Sequence, residues 1–166
     1  MKDQEFVPYF VPYFVPYMER TRLFYRAQGF EKDYVWAHFE ATPFSKPEKP
    51  LEDCVVTVVT TAVAHPKIPK PTRKAESIPF AETPAQFDTS ELSWDKETTH
   101  TEDRQSYFPL EVLNKLAGQG IIKSVSKRFH FVPTQYSQGA TINDDAPAIA
   151  KACRKDEVDI ALLIPL

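Results

Sequence analysis

Two apolar runs stand out from an otherwise mixed chain. Cys54-Val55-Val56-Thr57-Val58-Val59-Thr60 is β-branched almost throughout, and Val158-Asp159-Ile160-Ala161-Leu162-Leu163-Ile164-Pro165-Leu166 follows the polar turn Lys155-Asp156-Glu157. Runs this short, rich in β-branched residues and leucine, read as strands buried on both faces of a parallel sheet. The two are expected to be neighbours or near-neighbours with both carboxyl ends on one edge. Between them, Pro109 opens a helix with Leu110, Leu113, Leu116 and Ala117 along one side, stopped by Gly118-Gln119-Gly120. Residues 121–132 end in alternation, Val125, Phe129 and Phe131 opposite Ser126, Arg128 and His130, which predicts a strand. His130 falls on its polar side and is expected at a surface or interface. Asn143-Asp144-Asp145 reads as the cap of a second helix, with Pro147 in its first turn and Ile149, Ala152 and Cys153 facing inward. Strand, long loop, helix, strand, helix, strand is an α/β order, and right-handed crossovers make its strands parallel.

The amino-terminal pattern differs. Val7-Pro8-Tyr9-Phe10, Val11-Pro12-Tyr13-Phe14 and Val15-Pro16-Tyr17-Met18 repeat one unit. Proline at every fourth position forbids a continuous helix and favours an extended arm. Only the last copy leads into a helical pattern, predicted over residues 18–28, with Pro16 suited to the first helical position and Gly29 as the stop. The extra copies read either as duplications of one helix start or as a docking arm. Residues 30–44, with Tyr34, Trp36, His38 and Phe39, have the aromatic density that packs an arm onto a core. The expected division is an arm over residues 1–50, ending in a proline-bounded linker, and a domain over 51–166.

Composition narrows the class. Fifteen prolines against four glycines, most of the prolines before residue 85, make the first half extended and loop-rich. The 166 residues suffice for one core plus an arm, and 42% hydrophobic content with a net charge of −3 fits a soluble globular protein. That charge gives no reason to expect nucleic acid or a membrane as partner. Cys54 and Cys153 make neither a disulfide framework nor a paired-thiol motif, and read as small core residues. No signal peptide, transmembrane span or lipidation motif is visible, so a cytoplasmic location is expected.

Candidate chemistry gathers in two places. Thr60 and Thr61 end the first apolar run, at the edge where open α/β sheets bind ligands, and their hydroxyls can hold a polar ligand or close the turn. No glycine-rich loop for a dinucleotide is present there. Residues 67–105 form a long loop, within which Phe87-Asp88-Thr89-Ser90 and Thr98-Thr99-His100-Thr101-Glu102-Asp103-Arg104 concentrate groups able to move protons. Taken alone, that run reads as a solvated turn. His38 has no second ligand type at a metal-binding spacing, and no metal site is expected.

Several blocks together resemble a known family. They are Val15-Pro16-Tyr17-Met18-Glu19-Arg20-Thr21-Arg22, Tyr25-Arg26-Ala27-Gln28-Gly29-Phe30-Glu31-Lys32, Trp36-Ala37-His38-Phe39, Asp95-Lys96-Glu97-Thr98-Thr99-His100-Thr101-Glu102-Asp103, Ser106-Tyr107-Phe108-Pro109-Leu110, and Val158-Asp159 running into Leu163-Ile164-Pro165-Leu166. From about Val15 onward the chain resembles the selenoprotein B subunit of the glycine/sarcosine/betaine/D-proline reductase family, most of all its D-proline branch. The extra Val-Pro-Tyr-Phe copies depart from that pattern.

The resemblance implies a parallel-sheet, three-layer domain of Rossmann or flavodoxin type, incomplete at its carboxyl end. Family members continue from the strand matching residues 160–166 into a selenocysteine or cysteine, with another cysteine shortly after. Since selenocysteine uses a codon otherwise read as stop, a chain ending at Leu166 is expected to be truncated before its nucleophile. The implied reaction is reductive cleavage of a carbon–nitrogen bond beside a carboxylate in a small amino-acid-like substrate. In the D-proline branch a pyruvoyl group on a partner subunit forms an iminium with the substrate amine. The selenolate attacks the α-carbon, the amine leaves, and the nearby cysteine closes a selenenyl-sulfide that dithiols reduce. His100, with Asp103, is then the candidate for proton transfer or carboxylate binding, and Thr60 and Thr61 for substrate contact. A homo-oligomer is compatible with this reading. The competing reading is a non-catalytic α/β module that binds a small molecule or serves assembly, because fold alone does not imply function.

Overall fold

Five of the six residues of β1 (Val55–Thr60) are buried, and this strand is the axis of the sheet. In the computed structural model the described residues are 16–42, 45–62, 74–89, 99–134 and 137–166. The predicted Val-Pro-Tyr-Phe arm and residues 90–98 lie outside them. The chain divides into two compact units, Met1–Glu40 and Ala41–Leu166.

In the first unit, α1 (Tyr17–Ala27) begins after Pro16 and ends at Gly29, whose φ of +89° is the left-handed conformation that closes a helix. The predicted helix is thus present, shifted by one residue. Arg26 grips Asp33 through two hydrogen bonds of 2.7 and 2.6 Å, which folds the following segment back along the helix. Arg22 lies over the Trp36 ring, 5.2 Å from its centroid, and Tyr34 meets Trp36 edge to face. Met18, Leu23, Phe24, Phe30, Val35 and Phe39 remain exposed.

The second unit is an α/β sheet. β1 pairs in parallel with β5 (Ile160–Ile164) along one edge, Val56 opposite Ile160 through to Thr60 opposite Ile164. The two apolar runs are therefore neighbours with their carboxyl ends on one edge, as expected. On its other edge β1 pairs in parallel with β3 (Ser124–Val125) and then β4 (Arg128–Phe131). Val56 faces Val125 and Val59 faces His130, so three steps along β1 match five along its partner. The excess is a bulge at Ser126 and Lys127. It is stabilised by the hydroxyls of Thr57 and Ser126, both of which donate to the carbonyl of Arg128.

Two expectations need correction here. The sheet is mixed rather than wholly parallel, because β2 (Glu76–Pro79) runs antiparallel along the outer edge of β4. It lies inside what reads as unbroken loop: a four-residue strand with one core residue, Ile78, has too little alternation to register. In addition, β5 is not buried on both faces. Ile160, Leu162 and Ile164 are half-buried, while Ala161 and Leu163 are exposed, Leu163 by 75%. Apolar composition identifies the strand but not which faces are covered.

α2 (Leu110–Gly118) follows Pro109 and buries Leu113, with Leu110, Leu116 and Ala117 against the core, as the spacing predicts. The last helix starts earlier than predicted. Ser137 Oγ, not the Asn143-Asp144-Asp145 triplet, caps it by accepting from Ala140 N–H. α3 (Gln138–Ala140) then passes through a wide turn, Thr141–Asp145, into α4 (Ala146–Lys155). Asp145 is buried within that turn and accepts the N–H of Ala75, just ahead of β2. A carboxylate used this way holds two segments together instead of capping one. The core beneath the sheet is aromatic: Phe108 and Phe129 meet at 4.8 Å, with Phe87 and Phe80 packed around them.

Candidate functional site

The carboxyl edge of β1 and β5 holds Thr60 and Thr61. Thr60 is buried and its hydroxyl accepts from Ala62 N–H at 3.1 Å, closing the turn that leaves the strand. Thr61 reaches across to the end of β5. Its Oγ1 accepts from Leu166 N–H at 2.8 Å and donates to the Leu166 carbonyl at 3.1 Å. Both hydroxyls therefore have protein partners, and together they bind the exits of β1 and β5 to one another. At the opposite end of β5, Asp159 accepts the Val55 N–H at 2.9 Å and pairs with Lys49 at 2.8 Å. The lysine holds the Asp159 carboxyl below the usual carboxylate range.

His100 and Asp103 sit in a local turn. Asp103 accepts from Gln105 N–H at 3.0 Å and so caps the single turn Arg104–Ser106. His100 is exposed, and its Nδ1 accepts from Glu102 N–H at 3.4 Å. Thr101 ties this segment to Thr89 through their hydroxyls at 2.8 Å, and Tyr107 donates to the Thr101 carbonyl. Among the described residues no hydrogen bond or ion pair joins His100 or Asp103 to Thr60 or Thr61.

A polar cluster lies just beneath the same edge. His130 is the penultimate residue of β4, opposite Val59, and is completely buried. This corrects the expectation of a surface side chain: α4 covers that face of the strand. Its Nδ1 is 2.9 Å from Ser77 Oγ on β2 and its Nε2 is 3.5 Å from Cys153 Sγ on α4. Burial pushes the His130 pKa down and the Cys153 thiol up, so the neutral imidazole faces a protonated thiol. In the neutral ring one nitrogen donates and the other accepts, so Ser77 Oγ and Cys153 Sγ between them satisfy both. Two residues earlier on the same face, Arg128 forms a bidentate pair with Asp156, at 2.7 and 3.0 Å. The arginine holds the Asp156 carboxyl below its usual range.

Comparison with protein-family models, curated proteins and solved structures finds no match.

The cluster has a sequence signal that is visible once its partners are known. Arg128 and His130 are two apart on a strand, and Cys153 and Asp156 are three apart on a helix end, so each pair shares a face. The thiol is poorly suited to act as a nucleophile, since burial keeps it protonated. Cys54 is wholly buried ahead of β1, at the opposite end from Thr60, with its Sγ toward the Pro50 carbonyl at 3.4 Å. Among the described residues no group of three or more His, Cys, Asp or Glu is arranged to hold a metal ion. No helix among them is long and apolar enough to cross a membrane.

Proposed function

We propose that this chain is a selenoprotein B-type subunit of an amino-acid reductase, of the kind that cleaves the carbon–nitrogen bond of D-proline or of glycine, sarcosine or betaine with a dithiol donor. The observation that carries the reading is the parallel ladder of β1 and β5, whose carboxyl ends meet at one edge through Thr61 and Leu166. A residue that followed Leu166 in a longer product would emerge at the edge where α/β sheets present their reactive groups. The resembling sequence blocks supply the chemistry: a selenocysteine or cysteine there, a second cysteine close by, and a pyruvoyl-bearing partner subunit for the D-proline reaction.

In this proposal the domain is three-layered and Rossmann-like, and works in the cytoplasm on a small amino-acid-like substrate. His100 and Asp103 transfer protons or hold the substrate carboxylate, and Thr60 and Thr61 line the edge. Neither cysteine of the 166 residues supplies that nucleophile in this proposal: Cys54 lies at the opposite end of β1, and burial keeps the Cys153 thiol protonated.

The test starts with the codon after Leu166. A UGA followed by an open frame with a nearby cysteine supports the proposal; any other stop codon favours the non-catalytic binding or assembly module. The 166-residue chain, the longer product and its His100→Ala variant are then assayed with the four substrates, a dithiol and the pyruvoyl partner. Turnover only in the longer product is expected, reduced about a hundredfold or more by His100→Ala. Turnover by the 166-residue chain sinks the missing-nucleophile argument. Full activity of His100→Ala returns that turn to a structural role.

A further inference from the structure

His130 is the one histidine among the described residues with no exposure, and its ring bridges three elements: β4, which carries it, β2 through Ser77 and α4 through Cys153. Both ring nitrogens are engaged, so the ring has no unused site at which to take a proton quietly. In either tautomer of the neutral imidazole one nitrogen accepts from its neighbour, and protonation turns that acceptor into a donor. We propose that the Ser77–His130–Cys153 chain is an acid-sensitive clasp, in which protonation of His130 releases α4 from the sheet while the rest of the core stays folded.

The surroundings explain why protonation opens the clasp. In the imidazolium both ring nitrogens donate, so Ser77 Oγ and Cys153 Sγ must both accept, and sulfur is a weak acceptor. The charge has no carboxylate bonded to it. On β4 its nearest charge is Arg128, which opposes a second cation. Asp156, beyond α4, favours the cation, but both its oxygens are already held by Arg128. On β2, Glu76 neighbours Ser77 and by strand alternation points to the opposite face. β1 contributes the uncharged Val59 at this level. The remaining charged residues of α4, Lys151, Arg154 and Lys155, are exposed. A fully buried imidazolium in this setting is relieved most readily by lifting α4, which gives the ring access to water.

α4 is suited to move as a unit. None of its residues is fully buried, and it is followed by a tight turn in which Glu157 takes a positive φ of 54° before β5. Its release would loosen the approach to β5 while leaving the aromatic cluster of Phe87, Phe108 and Phe129 in place. The inference does not depend on the reductase reading.

The test uses the full 166-residue chain and its two cysteines. Their reaction with 4,4′-dithiodipyridine, which attacks thiols in acid as well as at neutrality, is followed by peptide mass spectrometry and referred to an unfolded control. Below the ordinary histidine value of about 6.5, Cys153 labelling should rise by up to about tenfold for each pH unit, until His130 itself titrates in the native state. Cys54 should stay protected over that range, and His130→Gln should abolish the rise. A flat Cys153 profile overturns the proposal. So does an equal rise at Cys54, which signals global unfolding, or a rise that persists in His130→Gln. If His130→Gln fails to fold, the His130 ring resonances of the native chain decide. Their titration midpoint must lie below the ordinary range and coincide with Cys153 exposure; titration while Cys153 stays protected overturns it.

Discussion

Arg128 and Asp156 meet as a two-pronged pair, Nε to Oδ2 at 2.7 Å and Nη2 to Oδ1 at 3.0 Å, across the junction of β4 with the end of α4. Both side chains are largely shielded, with 26% and 11% exposure. Removing one partner leaves the other partly buried without its counter-charge. Asp156→Asn should therefore destabilise the chain by about 1–3 kcal/mol. Replacing both residues with apolar ones of similar shape should cost less than the sum of the single changes. Urea unfolding of the two single variants and the double variant measures this, and additivity would show that the pair is not acting as one contact.

The parts of this fold that were legible in the sequence are those specified by a run or a stop. β1 and β5 announced themselves through apolar runs, α2 through Leu110, Leu113 and Leu116 after Pro109, and α1 through Pro16 and Gly29. What escaped depends on partners far away in sequence. Ser77 and Ile78 make a strand only because β4 offers a free edge, and nothing in four residues signals that. His130 reads as the polar side of an alternation, yet a helix twenty residues on covers it and supplies a thiol. Thr60 and Thr61 were legible as hydroxyls at a strand end, but their partners, Ala62 and Leu166, decide whether those groups are free.

The aromatic cluster should dominate stability. Phe129 is fully buried and touches Phe80, Phe87 and Phe108, with centroids 4.8 to 5.9 Å apart. Phe129→Ala removes a ring from this close-packed set and should cost about 3–5 kcal/mol, comparable with the whole stability of many domains. Phe129→Leu should retain more than half of the lost stability. Equal unfolding midpoints for Phe129→Ala and the native chain would show that the cluster is not the core.

Acid should weaken the chain in two stages. His130 has its native pKa lowered, first by burial and then by Arg128, so the unfolded state binds the proton more readily. Its stabilising contribution is complete above the ordinary histidine value of about 6.5 and falls as pH drops toward the lowered native value. Asp156 and Asp159 are also lowered, by hydrogen bonds from Arg128 and Lys49. Their contributions persist well below neutrality and are lost only as pH falls beneath the ordinary aspartate value of about 3.9. Thermal midpoints measured across this range should show both declines. The first should disappear in His130→Gln and the second should shrink in Asp159→Asn.

Thr60 and Thr61, adjacent and alike in composition, should respond differently to the same substitution. Thr60 is buried, and its hydroxyl is the acceptor for the buried Ala62 N–H. Thr60→Val keeps the shape but strands that N–H away from water, at about 1–3 kcal/mol. Thr61→Val removes the two hydrogen bonds to Leu166, but at a half-buried position where water can replace them. Its cost should be about 1 kcal/mol or less, concentrated at the strand exit. Amide hydrogen exchange separates the two cases. Thr61→Val should speed exchange at Leu166 while leaving Val58 and Val59 protected, whereas Thr60→Val should lower protection throughout β1. In the longer product proposed above, Thr61→Val should also depress turnover, because the residue after Leu166 loses its anchor. Unchanged exchange at Leu166 would mean that Thr61 does not hold the end of β5.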